Sequence, residues 1–478
     1  MERSAEENDM ERRTTGPKQS GDGVSGGASG GGMPAGASDM RSTYRRILAL
    51  AVPTFGQLIA EPAFVLIDTA IVGHIGDAAL AGLSIGSTII LTAVGLCIFL
   101  AYSTTAQVAH LLGAGRRREG LQAGIDGLWL ALGIGVVLGV GLFAAAEPLC
   151  RALGGQGAVL DQAVAYTRAV VLGAPGMLLV YSANGVFRGL QKVRITLIAA
   201  VGGALLNTVL DVLFVFGFGW GIVGSGVATL IAQWYMGLFL AVPAVLWARA
   251  DGASLCPSAA GIARAGGDGL PLFVRTLAIR AAMVATVACA ARMGTEVLAG
   301  FQAVNSSWNF AMNMLDSVGI AGQTLVGSAL GAGALARARG LTRVTGHMGL
   351  AVGAVIGVGF ALAGLFAGHL FSPNPAIQLL VAVGMVTMGL FLPLQGWMMA
   401  LDGILIGARD YRYLAATCLA TATAYIAALL VLTGFVTPSL PNDLARTVLL
   451  WSAFNVVLMG GRGLANGLRV RGGGWLDV

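Results

Sequence analysis

Residues 48–86 read LALAVPTFGQLIAEPAFVLIDTAIVGHIGDAALAGLSIG. Up to Gly73 the stretch holds only two ionisable side chains, Glu61 and Asp68. About 20 apolar residues are enough to cross a bilayer as a helix, so this is a membrane span that carries acids. Its second part recurs. GDAALAG at 76–82 pairs with GTEVLAG at 294–300, an offset of 218 residues. At that same offset, without a gap, Pro53 meets Pro271, Phe55 meets Phe273, LGAG at 112–115 meets LGAG at 330–333, and NGVFRG at 184–189 meets DGILIG at 402–407. One offset held over about 135 residues makes the chain two copies of one unit.

Twelve apolar segments follow one another, at about 47–73, 80–112, 121–146, 162–188, 194–217, 221–248, 268–292, 297–330, 341–371, 377–408, 412–436 and 444–467. A helix satisfies its own backbone hydrogen bonds in hydrocarbon, and no alternating strand pattern is seen. The predicted fold is an all-α polytopic membrane protein, with twelve transmembrane helices in two pseudo-symmetric six-helix bundles. The bundles occupy 45–248 and 267–478, joined by a cytoplasmic link at 249–266; residues 1–44 form a Gly/Ser-rich cytoplasmic tail expected to be disordered. Over all 478 residues 56% are hydrophobic and 11% charged, against roughly 25% charged in a soluble domain. A soluble enzyme is excluded. The five cysteines have no metal-ligand spacing.

Nineteen Lys and Arg fall in alternate connections beginning with Arg41, Arg45 and Arg46, against four in the others. This positive-inside bias predicts both termini in the cytoplasm, and it accounts for the net charge of +6 without a nucleic-acid partner. An even number of helices per half keeps the two copies parallel. Transporters built this way hold substrate between the halves and rock one against the other.

Charges inside the spans carry the functional signal, because a carboxylate at bilayer depth costs several kcal/mol, roughly 2.5 to 3.5 on insertion scales. At the repeat offset, Asp68 corresponds to Thr286 and Asp211 to Leu429. Gln57, Glu61 and Asp68 lie on one helical face, Asn207 and Asp211 on another, and Tyr166 and Asn184, eighteen residues apart, on a third. Converging, these stripes make a pocket whose acids cannot all stay ionised, one that takes up H⁺ or Na⁺. Pro53 and Pro62 remove backbone donors and mark a hinge or a static kink in the first helix. Arg275, Arg280, Asp316 and Asp402 are embedded in the second half; their charges sum to zero, so a mutual ion-pair network and a substrate or gating role are both open. No GxxxxGK[ST] occurs, so ATP-driven pumping has no support.

The opening stretch, together with PLFVRTLAIR, FAMNMLDSVGIAGQTLVGSALGAG and LDGILIGARDYR, resembles the multidrug and toxic compound extrusion (MATE) transporters, in their DNA-damage-inducible F branch. The resemblance covers nearly everything after residue 45. It implies an N-lobe cation site on Asp68, Asn207, Asp211 and Thr229, with Tyr166 and Asn184 in the same network and Pro53 at the bend of the first helix. Glu61 departs from the glutamine expected there. Gln323 stands where relatives carry a glutamate, and the seventh helix has Arg275 and Arg280 in place of an acid. The implied activity is a secondary antiporter exporting drug-like, often cationic or amphipathic, compounds in exchange for H⁺, favoured over Na⁺, by alternating access. It would work without a cofactor, as a monomer; separately, 27 arginines among the 29 basic residues, with heavy Ala and Gly use, suggest a GC-rich bacterial genome and so a bacterial plasma membrane. A flippase for lipid-linked precursors and a passive channel are the alternatives. No nucleophile–base pair or metal-ligand set suggests an enzyme.

Overall fold

Gly76 and Gly294 hold φ at 146° and 132°, a region that disfavours side chains, and each releases the chain into an equivalent helix. The correspondence continues along both halves. The computed structural model describes residues 37–366, 368–436 and 442–476. The chain falls into two units, Met1–Met40 and Arg41–Val478, and every helix named below belongs to the second. The first half comprises α1 (Arg41–Gly73), α2 (Asp77–Gly113), α3 (Arg117–Ala152), α4 (Gly157–Val171 and Ala174–Gly189), α5 (Val193–Gly217) and α6 (Gly221–Ala250). The second comprises α7 (Ala259–Met293), α8 (Thr295–Gly331), α9 (Leu335–Phe366), α10 (Pro375–Gly407), α11 (Tyr411–Phe435) and α12 (Asp443–Gly472). No strand occurs among the described residues.

Helices α2 to α5 begin at 77, 117, 157 and 193, and α8 to α11 at 295, 335, 375 and 411, each 218 residues later. Even the two left-handed non-glycine residues among the described residues, Gln191 and Arg409, are mates at that offset. Local chemistry sets the starts: Ser258 caps α7 by accepting from Gly261 N at 3.2 Å, and Asn374 caps α10 from Ala376 N at 2.9 Å with Pro375 at the first position. Ten of the twelve helices are long and apolar enough to span a membrane one by one, and α4 makes an eleventh when its two pieces are joined. The twelfth is α8. It carries Gln302, Ser306, Asn309, Asn313 and Asp316, spaced four, three, four and three residues apart on one face.

Helix α4 departs from the single straight segment expected at 162–188. It bends by 48° around Leu172 and Gly173, just before Pro175. The five-turn spacing between Tyr166 and Asn184 therefore does not by itself put them on one face.

Each half has its own core, around Phe187, Leu121 and Leu240 in the first and around Phe301, Trp451 and Phe454 in the second. A further apolar cluster crosses between them, through Leu100 and Ala106 of α2, Leu325 and Ala329 of α8 and Ile404 of α10. Here α2 and α8 cross: a Cβ on Gly113 would lie 2.0 Å from the Ser328 carbonyl oxygen, and one on its mate Gly331 would lie 1.9 Å from that of His110. Only glycine permits the approach. The same end holds inter-half hydrogen bonds, from Tyr102 OH to Asp316 (2.9 Å), from Gln323 to the Tyr102 carbonyl (2.7 Å) and from Gln107 to Asp268 (2.5 Å). These contacts lie toward the face of the arginine-rich connections, called the basic face below.

Candidate functional site

The first half contains a cavity of about 110 Å³ lined by Gln57, Asp68, Ser87, Tyr166, Asn184 and Thr229 among apolar side chains. The 48° bend of α4 brings Tyr166 and Asn184 to the same cavity from different pieces of the helix. Asn184 is 3% exposed, and its Oδ1 has no hydrogen-bond partner among the described residues. The side chain of Glu61 lies outside the described residues.

Asp68 of α1 and Asp211 of α5 meet beside this cavity, within hydrogen-bond reach of each other and 3% and 0% exposed. Thr229 of α6 donates to Asp68 Oδ2 at 3.3 Å. The amide of Asn207, one turn before Asp211, satisfies its surroundings in one orientation. Its nitrogen then donates to Asp211 Oδ2 at 2.8 Å and Asp68 Oδ1 at 2.9 Å, while its oxygen accepts from the Thr229 backbone N–H at 3.2 Å. Ser225 of α6 lies close to Asp211, though among the described residues neither Asp211 Oδ1 nor Ser225 Oγ makes a hydrogen bond of full geometry. None of the ion pairs among the described residues involves either acid. Two carboxyls in contact, away from water and without a basic counter-charge, repel strongly unless a proton or a cation is held between them. The oxygen donors fit either; no group of three His, Cys, Asp or Glu able to hold a metal ion occurs among the described residues.

Asp211 directly precedes a wide turn, Val212–Gly217, in which hydrogen bonds skip an extra residue. A wide turn of the same kind, Leu432–Val436, overlaps the equivalent stretch of the second half with its start two residues further on, so the feature belongs to the fold rather than to the acids. The second half also shows what the site is without charge. Thr286, mate of Asp68, and Tyr425, mate of Asn207, share a hydrogen bond at 2.9 Å. The repeat keeps the contact and dispenses with both carboxylates.

In the second half the four embedded charges part company. Asp402 accepts from Arg275, from Arg462 and from Asn466 (2.5 Å), so its network is filled by side chains of α7 and α12. Asp316 turns instead to Tyr102 of the other half. Arg280 has no ion pair among the described residues and is exposed. A mutual pairing of all four is thus not what forms; only Arg275 and Asp402 pair. Arg462 is a second correction. Read by position it belongs with the orientation charges, yet it is 3% exposed and bound to Asp402. The signal was present as Asn455, Arg462 and Asn466 on one face of α12. Arg188, at the end of α4, likewise falls by position with the connections; it is 4% exposed and donates to Gln57 at 2.8 Å.

Comparison with known proteins agrees with this architecture. The MatE family profile matches residues 53–213 and 271–428, one stretch in each half. Protein DETOXIFICATION 43 of Arabidopsis thaliana is 27% identical over 451 residues, covering 81% of this chain and 85% of its own length. DNA damage-inducible protein F of Escherichia coli strain K12 is 28% identical over 426 residues, covering 88% and 90%. The crystal structure of MATE in the bent conformation superposes with a TM-score of 0.81 at 20% identity, over 91% of this chain and 96% of that one. With a repeated fold, a family match in both halves and relatives along most of its length, this chain is a multi-pass membrane protein belonging to the MATE family of multidrug and toxic compound efflux transporters.

Proposed function

We propose that the protein is an H⁺-coupled antiporter in which the Asp68–Asp211 pair carries the coupling proton. The observation behind this is the contact of two buried carboxyls, with no arginine or lysine paired to either among the described residues, at positions where the other half does without acids. Asn207 favours H⁺ over Na⁺. Its N–H reaches both acids at 2.8 and 2.9 Å, filling the place between them with a donor, and a sodium ion there would require the amide to turn its oxygen inward. One proton shared by the pair completes the site as it stands.

Alternating access supplies the rest. With the basic face in the cytoplasm, as the distribution of arginines favours, the crossing of α2 and α8 and the Tyr102–Asp316 bond close the cytoplasmic side. In this state the halves part on the opposite, outward side. Protonation of the pair, next to the cavity against α1, then changes the packing of a helix bearing Pro53 and Pro62, and a bend of α1 couples ion to substrate. The organic substrate passes between the halves of a monomer set in a bacterial plasma membrane. Asp68→Asn is expected to abolish export in cells while the protein still reaches the membrane. Undiminished export by that variant overturns the assignment, and flux indifferent to pH and sodium gradients indicates a channel.

A further inference from the structure

On the basic face the repeat builds one pocket twice, and only one copy contains acids. The first copy lies where α7 meets α2, a cavity of about 460 Å³ lined by Gln107, Arg264 and Arg409 together with Glu119 and Asp126. Asp268 joins two of these residues, accepting from Gln107 at 2.5 Å and from Arg409 at 2.8 Å. The next residue after Arg409, Asp410, accepts from Arg469 at 2.7 Å. Here the chain supplies its own carboxylates.

The second copy lies where α1 meets α8 at the start of α5, a cavity of about 500 Å³ lined by Arg46, Leu50, Gln191, Lys192, Arg194 and Leu325 among others. At the repeat offset Arg46 matches Arg264, Leu325 matches Gln107 and Gln191 matches Arg409. The backbone at the turn is the same, with φ at 59° in Gln191 and 64° in Arg409, so the two copies differ in their side chains. Leu50 replaces Asp268, and Lys192 replaces Asp410. One carboxylate is lost and the other is reversed in sign. No acid lines this pocket, and none of Arg46, Lys192 and Arg194 joins an ion pair among the described residues. Lys192 rests on the Trp247 ring, 4.2 Å from its centre, while Asp251, mate of Arg469, is held by Arg117.

Beyond the cations the surface turns apolar. Arg194, Ile198, Val201 and Leu205 follow at helical spacing along α5 and all are exposed, as are Ala49 and Val52 on α1. The two helices pack directly: a Cβ on Gly56 would lie 2.9 Å from Leu197 Cδ1. Guanidinium and ammonium groups receive phosphate, and basic pockets between spans suit anionic headgroups.

We propose that this pocket binds the phosphate of an anionic phospholipid, held by Arg46, Lys192 and Arg194 with its acyl chains along the exposed stripe of α5. A free phosphate ion shares the headgroup's chemistry; the stripe assigns the lipid. By position the three cations are orientation charges, and the missing carboxylates give them this second role.

The test uses the full chain in dodecylmaltoside, titrated with phosphatidylglycerol and with phosphatidylcholine of equal chain length, the bound lipid being counted by native mass spectrometry. Phosphatidylglycerol should bind about tenfold or more tightly than phosphatidylcholine, and Arg46→Gln combined with Arg194→Gln should weaken it by about ten- to thirtyfold. Both side chains are exposed, so the fold is not at stake in that variant. Arg337→Gln with Arg339→Gln, an exposed pair on the same face outside the pocket, should keep the preference. Equal binding of the two lipids, binding unchanged in the pocket variant, or an equal loss in the second pair, which would make the attraction one of general surface charge, overturns the proposal. So does a site that takes inorganic phosphate as tightly as the lipid, which assigns it to a soluble ion.

Discussion

Asp402 and Asp68 show how differently one residue type is used in the two halves. Asp402 sits among Arg275, Arg462 and Asn466, its carboxylate answered twice over. Asp68 faces another acid. Removing Asp402 leaves two buried guanidinium groups uncompensated, so Asp402→Ala should lower stability by about 3–5 kcal/mol, read as a large fall in the thermal midpoint of the purified protein. A change below about 1 kcal/mol would mean that the network contributes nothing to the fold. Thr286→Val makes the opposite comparison. It removes the neutral hydrogen bond to Tyr425 at the position equivalent to Asp68 and should cost about 1 kcal/mol, with gradient-driven export retained. Loss of coupling in Thr286→Val would place part of the ion pathway in the second half.

At the scale of elements, the crossing of α2 and α8 determines which side is shut. Gly113 and Gly331 allow two backbones to touch at mates of the repeat, so a side chain there must push the halves apart. Gly331→Val should therefore open the basic face, seen as faster labelling of a cysteine placed at Gln107 by a water-soluble maleimide. Labelling no faster than in the parent protein would remove the crossing from its role as a gate. The converse experiment locks it. A Cβ on Gly327 lies 3.5 Å from that of Ala109, a spacing that accepts a disulfide. Joining the two helices through Ala109→Cys and Gly327→Cys should stop export under oxidation and restore it on reduction. Export that continues with the bond formed would show that the halves need not part there.

For the whole molecule, the sequence pattern carried the architecture further than the chemistry. The 218-residue offset set helix starts that the structure repeats at four positions in each half, because membrane spans and their turns are read from local composition. The acid pair was also legible, since Asp68 and Asp211 are rare charges in apolar runs whose mates are Thr286 and Leu429. Position misled where a charge near a span end turns inward: Arg188 and Arg462 look like connection residues, and only packing against α1 and α10 reveals them as buried. The bend in α4 was hidden for a related reason. Leu172 and Gly173 interrupt no apolar run, so hydropathy cannot mark the break that aims Tyr166 and Asn184 at one cavity.

The central claim is that a proton held by Asp68 and Asp211 is exchanged for substrate. Its most direct test is a proteoliposome with a trapped pH dye, containing the full chain, challenged with substrate across an imposed pH gradient. The account predicts proton movement that substrate stimulates, that persists without sodium, and that disappears in both Asp68→Asn and Asp211→Asn. Substrate-stimulated proton flux of unchanged size in either variant, or transport that requires sodium and moves no protons, would contradict it.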